Sequence, residues 1–130
     1  MKSLQNTTIL ENRPLTHDVY KMILQCDTSW IHHPGQFVNI TLEGLYLKRP
    51  ISICDWTENT LTLIYKVVGK GTEQMSKMNI NDTLEILVDL GNGFTVENTP
   101  EEVVILGGGV GVPPMYGVTK ECLKLKKGIV

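Results

Sequence analysis

The sequence predicts a mainly β protein: a small antiparallel barrel or sandwich carrying one short helix, followed by the first strand and helix of an unfinished α/β unit. Three observations carry this. Short segments rich in β-branched and aromatic residues recur at close spacing from Thr7 to Val88, with turn residues between them. Only one helical stretch, around Thr72 to Met78, interrupts them. After Asn98-Thr99-Pro100 the texture changes to a continuous apolar run, a glycine-rich loop and a helical segment.

Taken in order, Thr7-Thr8-Ile9-Leu10-Glu11 is the first strand, and Asn12-Arg13-Pro14 is expected to turn the chain after it. Asp18-Val19-Tyr20-Lys21-Met22-Ile23-Leu24 alternates in part. In Gln36-Phe37-Val38-Asn39-Ile40-Thr41-Leu42, residues Val38, Ile40 and Leu42 share one face, which is a period-two strand. Lys48-Arg49-Pro50-Ile51-Ser52-Ile53-Cys54 is a further strand, and its proline places it at an edge or at a bent strand start. Thr60-Leu61-Thr62-Leu63-Ile64-Tyr65-Lys66-Val67-Val68 is the strongest strand, stopped by Gly69, and Asp82-Thr83-Leu84-Glu85-Ile86-Leu87-Val88 is the last of the series. Thr72 is expected to cap the short helix, with Glu73 and Gln74 in its first turn and Met75 and Met78 on one face. Val103-Val104-Ile105-Leu106 reads as a strand covered on both faces, followed by a helix from about Met115 to Lys126. These elements divide the chain into residues 1–98 and 99–130.

Twelve Lys and Arg against fourteen Asp and Glu give a formal net charge of -2 in 130 residues. No basic field exists to hold nucleic acid. The N-terminal residues lack an apolar export core, and the longest uncharged run, residues 103–119, is broken by glycine and proline and too short to span a bilayer. A cytoplasmic protein without a membrane partner is expected. Cys26, Cys54 and Cys122 are scattered and odd in number, so they suit buried thiols better than disulfides or a zinc site. His32 and His33 have no metal-ligand companions, and no nucleophile elbow is present.

Three motifs offer phosphate chemistry. In Gly107-Gly108-Gly109-Val110-Gly111-Val112-Pro113-Pro114 the missing side chains let backbone amides approach an anion at a helix start, although Val112 stands where a dinucleotide fingerprint has its third glycine. A tight strand-to-helix turn without ligand is the other reading. Arg49-Pro50-Ile51-Ser52 presents a guanidinium fork with a hydroxyl three residues on, against the alternative of a solvated arginine. Gly69-Lys70-Gly71-Thr72 is either a second anion site or a plain helix cap. Together, the motifs describe two adjacent phosphate sites in two units.

On these residues, joined by Pro34-Gly35-Gln36-Phe37-Val38, the stretch from Leu63 to Thr72 and Leu90-Gly91-Asn92-Gly93-Phe94, the chain resembles the ferredoxin-NADP reductase superfamily. Within it, the chain is most similar to the family of electron-transfer subunits of bacterial dihydroorotate dehydrogenase B. The resemblance implies an FAD-binding antiparallel β-barrel over residues 1–98 and the beginning of an NAD-binding α/β domain over 99–130. It implies that Arg49 pairs with the FAD pyrophosphate, that Pro50 and Ile51 line the flavin, and that Ser52 approaches its N5 edge. Tyr65, Lys66 and Val67 would meet the ribityl and diphosphate region, and Gly71 and Thr72 would offer amides to the pyrophosphate. Gly107, Gly108 and Gly109 would open an NAD site that residues 99–130 leave incomplete. No residue is assigned a catalytic role.

The family also carries a [2Fe-2S] cluster on four cysteines, and three scattered ones do not supply that set. The implied partner is the dihydroorotate dehydrogenase catalytic subunit, in a heterotetramer, with a homodimer as a further possibility. The implied function is electron transfer between that subunit and NAD in pyrimidine biosynthesis, of which this chain would be a fragment unable to complete the circuit alone. Two alternatives remain open here: a subunit of another NAD(P)H-linked flavin or ferredoxin reductase, and a non-catalytic, cofactor-free barrel stabilised by oligomerisation.

Overall fold

A computed structural model describes residues 3–31, 36–42, 49–90, 102–103, 105, 112–125 and 128–129. Six strands close an antiparallel barrel: β1 (Ser3–Pro14), β2 (Val19–Gln25), β3 (Phe37–Ile40), β4 (Arg49–Trp56), β5 (Thr60–Lys66) and β6 (Thr83–Leu90), in the spatial order β1-β2-β5-β4-β3-β6. A short helix, α1 (Lys70–Ser76), joins β5 to β6. Beyond the barrel come β7 (Glu102–Val103), α2 (Val112–Lys124) and β8 (Gly128–Ile129).

The barrel closes through β1, which serves two neighbours in turn. Ser3 to Thr8 pair with β6, while Thr8 to Pro14 pair with β2. An irregularity between Ile9 and Glu11 bends the strand between these partners, as bulges do at barrel corners. Asn12, Arg13 and Pro14, expected as a turn, therefore extend β1 opposite Met22, Lys21 and Tyr20. Their turn propensity is overridden by pairing, and Pro14 is tolerated because it is the strand's last residue.

The remaining strand expectations hold closely. β5 buries Leu61, Leu63 and Tyr65 and turns Thr62, Ile64 and Lys66 outward. β3 buries Val38 and Ile40, and Leu42 follows them into the core. Pro50 occupies a strand start inside the closed barrel: it faces Asn39 of β3, whereas pairing with β5 begins only at Ile53. Its missing N–H thus costs no ladder bond to β5.

The core is built from Ile9, Met22, Leu24, Val38, Ile40, Ile53, Leu61, Leu63, Leu84, Ile86 and Val88, together with Tyr65 and Met75. Met75 is the residue by which α1 enters this core. The cap of α1 differs from expectation. Gly69 is the N-cap and Thr72 sits at the third helical position, where its hydroxyl reaches back to the residues before the helix.

Helix α2 begins at Val112, three residues earlier than its periodicity indicates, because Pro113 and Pro114 fit a first turn that needs no amide donors. It packs on β4. β7 and β8 pair in parallel across it, so the expected strand and helix are completed into a small βαβ unit by two residues too few to register as a strand in sequence. Ile105 lies outside strand structure, and Leu106, residues 97–101 at the expected division and the glycine run 107–111 lie outside the described residues. The same holds for His32, His33 and residues 91–94. Among the described residues, no helix is long and apolar enough to cross a membrane.

Candidate functional site

The outward face of β5, the start of β4 and the first turn of α1 meet at a cleft of about 360 Å³. Pro50, Ile51, Ser52, Ile64, Tyr65, Lys66, Val68 and Thr72 line it. Strand order explains the meeting. β4 and β5 are neighbours in the barrel with only three residues between them, and α1 starts four residues after β5 ends, so three consecutive elements form adjoining walls. A cleft of this size takes one planar ring system, with apolar walls and a few polar groups for orientation.

Six residues expected at a site are thereby gathered: Pro50, Ile51, Ser52, Tyr65, Lys66 and Thr72. Pro50 is exposed, and Ile51 and Ser52 are half-buried beside it. The Ser52 hydroxyl has no hydrogen-bond partner among the described residues, which leaves it available to a ligand. Lys66 is half-exposed and lies 3.6 Å from the Asp18 carboxylate, so its ammonium is shared rather than free.

Tyr65 faces the other way. It is 2% exposed, stacks on Tyr20 with ring centroids 5.8 Å apart, and donates its hydroxyl to Asn12 Oδ1 at 2.8 Å. Burial pushes its phenol well above the ordinary range, so it stays neutral. Its side chain supports the cleft from below.

Thr72 is 5% exposed, and its hydroxyl is already used. It accepts the N–H of Val68 at 2.8 Å and of Gly69 at 3.3 Å, and donates to Gly69 O at 3.3 Å. What remains at this corner is backbone. The helical bond across the cap runs from Glu73 N–H to Gly69 O at 2.9 Å, and Gly69 has no side chain to accept the amides of Lys70, Gly71 and Thr72. A Cβ at Gly69 would meet nothing within 4 Å, so the space beside this turn is open.

Gly71 is buried beneath the turn. Val67 packs against the core and donates its N–H to Asp18 O at 2.7 Å, which places it behind the cleft wall. Arg49 opens β4 next to Pro50, its side chain lying outside the described part of the structure, and Gly107, Gly108 and Gly109 lie outside the described residues altogether. Ile64 and Val68 belong to the cleft without having been singled out in sequence. An apolar Ile64 on the solvent side of an alternating strand was the signal for the first, and Val68, 76% exposed, had none.

All three cysteines are free and buried. Burial pushes the Cys26 thiol up to about 11 and raises that of Cys54, which keeps both protonated near neutrality. No group of three or more potential metal ligands occurs among the described residues.

No protein-family model matches the sequence. The dihydroorotate dehydrogenase B (NAD+) electron transfer subunit of Listeria welshimeri is 40% identical over 127 residues, covering 93% of this chain and 48% of the relative. A relative of the same name from a Geobacillus strain is 32% identical over 138 residues, covering all of this chain and 53% of the relative. The chain spans about half the length of the curated relatives it matches. Among solved structures, an NADH-dependent reduced ferredoxin-NADP oxidoreductase superposes with a TM-score of 0.85 at 29% identity, over 95% of this chain and 46% of that one. A ferredoxin-NADP+ reductase from Neisseria gonorrhoeae, solved with FAD and NADP bound, shares the fold with a TM-score of 0.78 at 18% identity, over 97% of this chain and 55% of that one. The chain is a relative of the dihydroorotate dehydrogenase B electron transfer subunits, built on the barrel of the ferredoxin-NADP reductase fold.

Proposed function

We propose that this chain supplies the flavin-holding barrel of an electron-transfer subunit, which passes electrons between a dihydroorotate-oxidising catalytic subunit and NAD in the cytoplasm. The observation that carries the reading is the cleft between β4, β5 and α1, whose lining includes six of the residues expected to meet FAD: Pro50, Ile51, Ser52, Tyr65, Lys66 and Thr72. The residues fit the group. Ile51, Ile64 and Val68 offer apolar surface to a ring, Ser52 offers an uncommitted hydroxyl at its edge, and the open turn at Gly69–Thr72 offers amides to phosphate oxygens. Arg49, at the start of β4, is assigned to the pyrophosphate, where a guanidinium forms paired, charge-assisted bonds. Bound FAD supplies the change between two-electron and one-electron transfer. The chain orients the ring, keeps water from its apolar face, and fixes a hydrogen-bonding hydroxyl at its reactive edge.

Residues 1–98 and 99–130 are proposed as separate units, the second contributing Gly107, Gly108 and Gly109 to a nicotinamide site. The iron–sulfur cluster is not assigned to this chain, whose three cysteines are scattered and buried. A second reading, a subunit of a ferredoxin-linked NAD(P)H oxidoreductase, is favoured by the 29% identity to such an enzyme. Copurification with a dihydroorotate-oxidising partner separates the two.

The flavin assignment is tested by incubating the purified chain with FAD, desalting by gel filtration and reading the absorbance of the protein peak. Retained flavin is expected. Arg49→Ala should weaken binding by about 1.5–3 kcal/mol, tenfold or more, as loss of bonds to a charged group does. A desalted protein without flavin, indifferent to Arg49→Ala, refutes the assignment.

A further inference from the structure

The geometry points to Asn12 as a positioning residue that sets the separation between the two walls of the cleft, an inference that rests on the flavin reading for its functional consequence. Asn12 lies on β1, outside the cleft. Its Nδ2 donates to Met75 O at 2.8 Å and to Met78 O at 3.0 Å, at the C-terminal end of α1. Its Oδ1 accepts the Tyr65 hydroxyl at 2.8 Å. The three partners fix the amide's orientation, since two carbonyls require donors and the phenol requires an acceptor.

These bonds join the elements that form the cleft. α1 contributes Thr72, and β5 contributes Ile64, Tyr65 and Lys66. Between them the chain runs only through Val67, Val68 and Gly69, the last in a fully extended conformation. A short extended link leaves the far end of a seven-residue helix free to pivot unless something holds it. Met75 anchors that end by its apolar side chain, but apolar contact is not directional. Asn12 adds the direction, with three bonds at once and no spare donor.

The backbone of β1 is shaped to deliver this residue. The irregularity between Ile9 and Glu11 shifts the strand's alternation. Glu11 and Arg13 then pair with each other at 2.9 Å, and Lys21 approaches Glu11 at 3.8 Å on the outer side, while Asn12 turns toward the helix.

The test uses the 130-residue chain and two readouts. Amide hydrogen exchange of α1 is measured without flavin, and FAD affinity by fluorescence titration. Asn12→Ala should speed exchange across residues 70–76 and weaken FAD roughly tenfold, the equivalent of about 1.4 kcal/mol. Tyr65→Phe removes one bond of the three and should move both readouts in the same direction by less, and it stands in if Asn12→Ala fails to fold. Ile86→Val, a core substitution remote from the cleft, is the control for general loss of stability and should leave both readouts unchanged. Unchanged exchange in α1 on Asn12→Ala overturns the inference. So does an affinity loss in Ile86→Val equal to that in Asn12→Ala. If the wild-type chain takes up no FAD, the flavin reading falls and the exchange measurement alone decides the role of Asn12.

Discussion

Replacing Thr72 by valine isolates a single hydroxyl at the junction of β5, α1 and the cleft. The two side chains have nearly the same shape, so the core beneath α1 keeps its volume. What is lost is the acceptor for Val68 N–H at 2.8 Å, the weaker one for Gly69 N–H at 3.3 Å, and the donor to Gly69 O at 3.3 Å. Thr72 is 5% exposed, so water does not readily replace its hydroxyl. One short bond to a backbone donor left in partial burial costs about 1–2 kcal/mol, and the two long bonds add little. This agrees with the ~1 kcal/mol typical of a lost helix cap. A total of about 1.5–2 kcal/mol lowers the melting temperature by roughly 5 °C for a domain of this length. Urea denaturation followed by Trp30 and Trp56 fluorescence measures it. Thr72→Ser, which keeps the hydroxyl and loses a methyl, should cost less than half as much. If Thr72→Val melts with the wild type, or if Thr72→Ser is equally destabilised, the hydroxyl does not hold this junction.

Two further outcomes concern titration. Lys120 on α2 reaches Asp55 on β4 at 2.6 Å, and this hydrogen bond raises the ammonium above its ordinary value of 10.5. A raised folded value means the contribution is complete below that ordinary value and disappears as pH climbs through the folded one; the pair is half-exposed, so Lys120→Met should cost only about 0.2–1 kcal/mol by urea titration at neutral pH, and nothing once lysine is deprotonated. The buried Cys26 thiol, held near 11, keeps its proton where an unfolded thiol has lost it, so stability should decline as pH rises from ~8.5 toward that value, and Cys26→Ala should flatten the decline in urea midpoints taken along that range.

The parts of the fold legible in sequence are those where the relevant physics is local. The alternation of β5 is a property of seven consecutive residues, and the structure reproduces it residue by residue. Pro50 likewise carries its own constraint and marks a strand start wherever that strand finds itself. Asn12-Arg13-Pro14 misleads for the opposite reason. Its turn chemistry is local, but pairing with β2 decides its conformation, and the partners of the Asn12 side chain lie 53, 63 and 66 positions away in the chain. No periodicity within β1 announces that Asn12 will face a helix. Two-residue β8 is invisible for a related reason: it exists only because β7 lies parallel beside it.

The site divides along the same line. Each wall of the cleft had a sequence signature: a proline-led strand with a hydroxyl, an alternating strand with an apolar residue on its wet face, and a helix opening on glycine. The adjacency of the two strands did as well, since only Thr57, Glu58 and Asn59 separate β4 from β5, but the placing of α1 beside them did not. Nor did their spacing. The width of the cleft is a distance between α1 and β5, and a third strand bonds to both through an asparagine that lies outside the cleft lining. Residue motifs therefore locate the chemistry of such a barrel, while the tolerance of its geometry resides in polar bonds on the far side of the core. On the proposed flavin reading, a substitution that respects every motif is expected to alter cofactor affinity when it loosens that bond network, which is why Asn12 is tested alongside the residues that line the cleft.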